Sequence, residues 1–355
     1  MCTIMMTSDI RSQVGDRKRI PYFDVIKGFL MITVVFDHIL LFNVNNTDPL
    51  HYFIGCMFNS FNMPLFFMVS GYMLAFSGRK FLTWQPFSNH ITKRVIQCLV
   101  PFFMWAIFKS LVFDYPSSKD VYDILLSVPR VMTNPSSGLW FLLCLFVIDS
   151  LLSIFIFLDN RVGKRSWLIV YMVLVEVALL LLMPLNIFGL YNVYYYFPFV
   201  CLGYCINRFS LENYIKNNGV FLLFICVFIL LVPYYNRVFA ATHVRLLIAI
   251  SGSVSVWRIC EGLYNDNRIN KFLTYLGKNS MSIYCIHGLL MTKTIIDIPI
   301  HQWAFWNFIN IMIISVIICL VCIFFSKVIS LSPILNTLFN GQLLKLRNNE
   351  NKNIG

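Results

Sequence analysis

One apolar segment of the sequence, KGFLMITVVFDHIL at residues 27–40, contains a lysine, an aspartate and a histidine. Ionisable side chains at membrane depth are expensive and commonly mark functional sites. On a helix, Lys27 and His38 share one face at an axial separation of about 16 Å, and Asp24 lies one turn from the lysine. A cation and an imidazole so placed could hold the two ends of one long ligand, with the imidazole as a general base. Alternatively, the lysine extends to the interface and the histidine is a packing residue.

The second polar segment is FNMPLFFMVSGYML, residues 61–74, which contains Asn62 and Ser70. Pro64 interrupts the helical hydrogen bonds, and a membrane helix tolerates such a break where a neighbour or a cavity satisfies the freed groups. The segment therefore predicts either a kink packed through small residues or part of a substrate pocket.

Two more segments carry candidate residues close to the ends of apolar runs. Lys93 and Arg94 precede the apolar part of ITKRVIQCLVPFFMW (91–105), where they would bind a phosphate or simply fix the membrane topology. Trp140 opens the helix predicted from SSGLWFLLCLF (136–146), and we include it among the substrate-pocket candidates.

The segment LGKNSMSIYCIHG, residues 276–288, contributes the last group of candidates. Asn279 and the following serine are residue types that cap helix starts. Tyr284 and His287 are three residues apart and so lie on one side of a helix, with the histidine deep in the membrane. The other four histidines are near predicted helix ends and are interpreted as interfacial: His51, His90, His243 and His301.

The composition identifies the class of protein that positions these residues. Of the 355 residues, 58% are hydrophobic and 12% are charged, whereas soluble domains have about 25% charged residues. The net charge of +12 lies in short clusters between apolar runs, so we expect no nucleic-acid partner. The eleven cysteines predict no disulfide framework, and the spacing of Cys319 and Cys322 lacks two further ligands, so we expect no metal.

The apolar runs predict an all-α, polytopic membrane bundle, because each span needs about 20 residues. We divide the chain into a cytoplasmic N-terminal segment (1–20), a ten-span domain (21–335) and a disordered cytoplasmic tail (336–355). The ten predicted spans are 22–43, 52–77, 95–113, 139–158, 167–185, 192–207, 218–235, 243–262, 273–297 and 303–330. Lysine and arginine concentrate in alternate loops and in both terminal segments, which places both termini in the cytoplasm.

Five segments, in order along nearly the whole chain, resemble the acyltransferase 3 family of bacterial membrane proteins. They are RIPYFDVIKG (19–28) with His38, FNMPLFFMVSGY (61–72), KRVIQCLVPFFMW (93–105), LWFLL (139–143) and LGKNSMSIYCIH (276–287). The resemblance implies transfer of an acyl group, usually acetyl, from acyl-CoA to a hydroxyl of a cell-envelope glycan or exopolysaccharide. It also implies a multi-pass protein of the bacterial inner membrane, in contact with lipid.

The family's basic residue, ten intervening residues and histidine correspond to Lys27 and His38. The resemblance implies that His38 is catalytic and that Lys27 engages the donor, together with Arg94 and Lys93. An extended pantetheine arm is on the order of 16–20 Å long, at a few ångströms per bonded unit. This length is similar to the axial distance between Lys27 and His38. His38 would act as a general base or as an acylated nucleophile.

The sequence departs from the family at two positions. Asn62 stands where the family has a histidine, and Gln97 replaces the second arginine of the family's Arg-x-x-Arg motif. Asn62 keeps hydrogen-bonding capacity, whereas Gln97 removes a positive charge from the expected donor site.

A different class of function is also compatible with these residues. Membrane-buried lysine, aspartate and histidine occur in proton-coupled carriers, and broken helices are typical of transporters. An exporter or flippase for lipid-linked sugars is therefore the alternative, although no internal inverted repeat is visible. A structural role in an envelope complex, or a homo-oligomer, also remains open at this stage.

Overall fold

The structure, a computed structural model, describes residues 20–43, 49–78, 81–109, 111–112, 139–162, 167–185, 187–235, 242–291 and 304–343. Within these ranges every regular element is helical, which confirms the predicted all-α class. In chain order the α-helices are α1 (Pro21–Asn43), α2 (Pro49–Phe76), α3 (Trp84–Lys109), α4 (Trp140–Val162), α5 (Trp167–Leu182), α6 (Leu190–Arg208), α7 (Glu212–Lys216), α8 (Asn218–Leu231), α9 (Thr242–Gly262), α10 (Arg268–Lys278), α11 (Ser280–Leu290), α12 (Ala304–Ile329) and α13 (Pro333–Asn340).

Six of the described helices are long and apolar enough to cross a membrane, namely α2, α3, α4, α5, α9 and α12. The protein is therefore a multi-pass membrane protein, as predicted. Two of the other four predicted spans correspond to α1 and α6, which contain more polar residues, and two contain the shorter apolar helices α8 and α11.

The helix predicted over residues 273–297 is divided at Asn279 in the structure. α10 ends at Lys278, α11 begins at Ser280, and Asn279 between them is not helical (φ −104°, ψ 12°). Asn279 occupies the N-cap position of α11, as predicted, but its side chain makes no capping bond, because its amide donates to the Tyr275 carbonyl oxygen at 2.8 Å. The break separates the polar α10 from the apolar α11.

Glycines allow two pairs of helices to cross at backbone contact. A Cβ at Gly28 of α1 would lie 1.9 Å from a carbonyl oxygen of α10, and one at Gly277 of α10 would lie 1.8 Å from the Asp24 carbonyl oxygen. Gly71 and Gly203 join α2 to α6 in the same way. Small residues at helix crossings are the usual means of close packing in membranes, and here they bring α1 against α10 and α2 against α6.

The last described helix, α13, packs against α3 and α12. The Trp105 indole nitrogen of α3 donates to the Phe339 carbonyl oxygen at 2.9 Å. The Asn340 amide donates to the Ser326 carbonyl oxygen at 3.2 Å, and the Ser326 hydroxyl donates to the Ser282 hydroxyl at 2.8 Å. The predicted boundary at residue 335 therefore falls within an ordered helix. Residues 1–19 and 344–355 lie outside the described ranges.

Candidate active site

At the N-terminal end of α1, the Lys27 ammonium forms an ion pair with Asp24. Its Nζ lies 2.9 Å from Asp24 Oδ1, one helical turn away, and both side chains are partly exposed. The pair fixes the orientation of the lysine on the face of α1 that also carries His38. Because the lysine remains solvent-accessible, the pairing leaves it able to contact a second anion.

Three turns further along α1, the His38 ring meets the ring of His287 from α11. The ring centroids are 5.0 Å apart and the planes are nearly perpendicular, at 89°. His38 is half-buried, whereas His287 is 2% exposed. The structure thus brings together two candidate residues that are 249 positions apart in the sequence.

Backbone contacts define the hydrogen-bonding roles of both imidazoles. His38 Nδ1 lies 2.8 Å from the Val34 carbonyl oxygen, and His287 Nδ1 lies 2.7 Å from the Tyr284 carbonyl oxygen. A carbonyl only accepts, so each Nδ1 is the donor and the lone pair of the neutral ring is on Nε2. In the described part of the chain, His287 Nε2 is buried and has no hydrogen-bond partner. An unpartnered acceptor at such a site is suited to a ligand hydroxyl.

Tyr284 connects the histidine pair to the start of α4. The Phe141 backbone nitrogen donates to the Tyr284 hydroxyl at 3.1 Å, and the Tyr284 ring centroid is 5.7 Å from that of His287. Beside it, Trp140 stacks on Tyr196 at a centroid distance of 5.3 Å. The candidates Tyr284, His287 and Trp140 therefore belong to one aromatic region.

Two candidates on α2 differ in their relation to α1. The Thr33 hydroxyl on α1 is 2.6 Å from Asn62 Oδ1, and both residues are buried. Thr33 lies between Lys27 and His38 in the sequence, so Asn62 binds the middle of the helix that carries them. The Ser70 hydroxyl donates to the Phe66 carbonyl oxygen of its own helix at 2.9 Å.

Arg94 is held by a carboxylate on a neighbouring helix. Arg94 Nε lies 3.0 Å from Asp149 Oδ2, and Arg94 Nη2 lies 2.8 Å from Asp149 Oδ1. The two hydrogen bonds join α3 to α4. A third nitrogen donates to Gln97 Oε1 at 3.3 Å. The Arg94 side chain remains 26% exposed. Its neighbour Lys93 is half-buried.

His90 completes this cluster, a partnership that its predicted position near a helix end did not indicate. Its Nε2 lies 2.8 Å from Asp149 Oδ2, and it is 7% exposed. The turn of α3 that follows, Val95–Leu99, is a π-helix and contains Gln97. π turns are frequent at functional sites and rotate the residues on either side of them relative to a regular helix.

A protein-family comparison now identifies the chain. The model of the acyltransferase domain matches residues 20–324. The chain belongs to the acyltransferase 3 family. Both candidate histidines and the whole Arg94 cluster lie within the match, and the protein is therefore an acyltransferase.

Two curated relatives support the assignment to acyltransferase 3. Nodulation protein NolL of Sinorhizobium fredii is 25% identical over 311 residues, which covers 79% of this chain and 80% of the relative. Nodulation protein NolL of Mesorhizobium japonicum is 23% identical over 306 residues, which covers 77% of each chain. No solved structure matches the chain significantly.

For this acyltransferase 3 protein, the sequence reasoning missed Asp149. The signal was present, because Asp149 is an acidic residue within the apolar run of α4 and such residues require a partner. What the sequence did not indicate was the partner, since Arg94 and His90 are more than 50 positions away.

Proposed function

We propose that this protein transfers an acyl group, most simply acetyl, from acyl-CoA to a hydroxyl of a cell-envelope glycan or exopolysaccharide. The observation that carries the proposal is the meeting of His38 and His287, with their Nδ1 atoms occupied by backbone carbonyls. This arrangement leaves a lone pair on each Nε2, which is what proton abstraction from a hydroxyl requires.

The donor would lie along α1. Lys27 would bind a phosphate of the nucleotide, and the pantetheine arm would span the axial distance of about 16 Å to His38. Arg94 and Lys93 would contribute further positive charge, with Arg94 fixed in place by Asp149. The replacement of the family's second arginine by Gln97 reduces that charge, so we expect weaker dependence on the phosphates than in an Arg-x-x-Arg site.

In the chemical step, His38 Nε2 takes the proton from the acceptor hydroxyl while the oxygen attacks the thioester carbonyl. The carbon–sulfur bond then breaks, and the coenzyme A thiolate leaves and takes up the proton. His287 would accept a hydrogen bond from the same hydroxyl or from its neighbour and so orient it. Direct transfer needs no acyl-histidine, which distinguishes it from the nucleophilic alternative.

The test uses purified full-length protein, radiolabelled acetyl-CoA and a panel of methyl pyranosides. Wild-type protein should release thiol and form labelled ester, and His38→Gln should do neither while still binding acetyl-CoA. Equal transfer by His38→Gln and wild type would overturn the assignment of the base. Absence of transfer from any acyl-CoA by the wild-type protein would overturn the donor.

We further propose ten spans in the inner membrane, with both termini cytoplasmic. The six long apolar helices support a multi-pass protein, and the basic residues of alternate loops support the orientation. Reporter fusions at residue 125 and at the C-terminus should report opposite sides of the membrane. The same side for both would contradict the layout.

A further inference from the structure

The C-terminal end of α1 carries a carboxyl group that the proposed reaction does not use. Asp37 precedes His38 but lies about 100° away around the helix, so it is on a different face of α1 from His38. A Cβ on Gly55 of α2 would lie 3.6 Å from Asp37 Oδ1, which places the carboxyl group beside Gly55 of α2. Asp37 is half-buried, and within the described part of the chain no hydrogen bond or ion pair satisfies it.

Two tyrosines and an arginine face the same region. The side chains of Tyr195 on α6 and Tyr235, which follows α8, lie close enough for their hydroxyls to interact. The Tyr235 hydroxyl is close enough to Asp37 and to Arg245 of α9 to interact electrostatically with both. Arg245 Nε is buried and has no hydrogen-bond partner among the described residues. Four helical segments thus converge on one cluster with an unsatisfied acceptor and an unsatisfied donor.

This cluster continues into the aromatic region beside the histidines. Tyr195 is next to Tyr196, with ring centroids 5.0 Å apart, and Tyr196 stacks on Trp140. Trp140 is followed by Phe141, which contacts the Tyr284 ring at 5.1 Å. Aromatic surface interrupted by a few polar groups is the usual lining of a ligand site.

We infer that Asp37, Tyr195, Tyr235 and Arg245 bind an uncharged pyranose unit of the acceptor. The inference rests on the proposed function, because it places the acceptor near the end of α1 opposite Lys27, around the helix from His38. A carboxyl group accepts hydrogen bonds from two adjacent hydroxyls, a guanidinium donates to hydroxyl or ring oxygens, and tyrosine offers both an apolar face and a hydroxyl. One acidic and one basic group offset each other, which favours a neutral sugar over an anionic one.

The experiment measures binding of methyl β-glucopyranoside to the purified full-length protein by saturation-transfer NMR, and acetyl-CoA binding in parallel. Asp37→Asn and Arg245→Gln should each weaken pyranoside binding about tenfold, since each loses a hydrogen bond to a charged group. Tyr235→Phe should weaken it less, because the ring remains. Acetyl-CoA binding should not change in any of the three.

Glu176→Gln is the matched control. Glu176 is another carboxyl group in an apolar helix, α5, and its Oε2 is also buried without a described partner. It lies near Cys201 of α6, more than one helical turn from Tyr195. It should leave pyranoside binding unchanged. Thermal melting of each variant separates misfolding from loss of the site, and Tyr235→Phe remains informative if the charge variants fail to fold.

Unchanged pyranoside binding in stable Asp37→Asn and Arg245→Gln proteins would overturn the inference. So would parallel loss of acetyl-CoA binding, or tighter binding of methyl β-glucuronide than of the neutral glucoside. Because binding is read without turnover, a protein that binds the pyranoside at this cluster but transfers no acyl group would contradict the proposed function and leave the sugar site standing.

Discussion

Two buried histidines of this protein, His90 and His287, have opposite hydrogen-bonding environments. His90 Nε2 contacts Asp149, which also takes two contacts from Arg94. His287 Nε2 is equally buried and has no described partner. Unsatisfied buried polar groups are costly, so the first arrangement is complete without a ligand and the second is not. The polar atoms around Asp149 are paired with one another across two helices, whereas the His287 ring keeps an acceptor without a described partner.

The largest effect should come from the histidine that contacts His287. His38→Ala should lower the rate of acyl transfer about 10²–10⁴-fold, the usual result of removing a general base. Protein abundance and acetyl-CoA binding should remain at wild-type levels. A packing histidine would behave in the opposite way, with lower abundance and normal specific activity in the folded fraction.

The next largest effect should be a loss of stability when Asp149 is replaced. Asp149→Ala leaves Arg94 without its carboxylate, and breaking a buried pair typically costs about 3–5 kcal/mol. Because Arg94 is 26% exposed, we expect the lower part of that range, measured as a fall in melting temperature. The melting temperature of Asp149→Asn should fall less, since the amide oxygen still accepts a hydrogen bond from Arg94. A normal melting temperature would contradict the stabilising role of the pair, and unchanged acetyl-CoA binding would remove the orientation of Arg94 by Asp149 from the proposed donor site.

A smaller effect on activity is expected at the other member of the histidine pair. His287→Ala should reduce acyl transfer about tenfold, because it orients the hydroxyl but is not aligned with Lys27 along α1. Initial rates at saturating acetyl-CoA provide the measurement. If His287→Ala lowers the rate of acyl transfer as much as His38→Ala does, the two imidazoles act as one unit. The single-base mechanism would then have to be replaced.

The smallest effect should be at Lys27, whose ion pair with Asp24 is partly exposed. Lys27→Ala should weaken acetyl-CoA binding several-fold at low ionic strength, and the difference should shrink as salt screens the charge. Isothermal titration at two salt concentrations tests this. A difference that is independent of salt would show that the lysine acts by packing.

The sequence predicted the features that depend on local spacing. The shared face of Lys27 and His38 follows from helical periodicity, and the apolar runs indicate where most helices lie. The contacts across the bundle were not predictable in this way. No local pattern links His90 to Asp149, and the break at Asn279 lies in a run whose composition is compatible with one continuous helix. Pairing of His38 with His287 depends on how α1 packs against α11.

The docking of α13 has a practical consequence for trimming the protein. The family match ends at residue 324, whereas Trp105 and Ser326 are bonded to Phe339 and Asn340. A shortened chain that stops at the end of the match would expose the indole N–H and remove the buried amide. Purification designs that keep residues up to 343 preserve these bonds, and an affinity tag is better attached beyond that point.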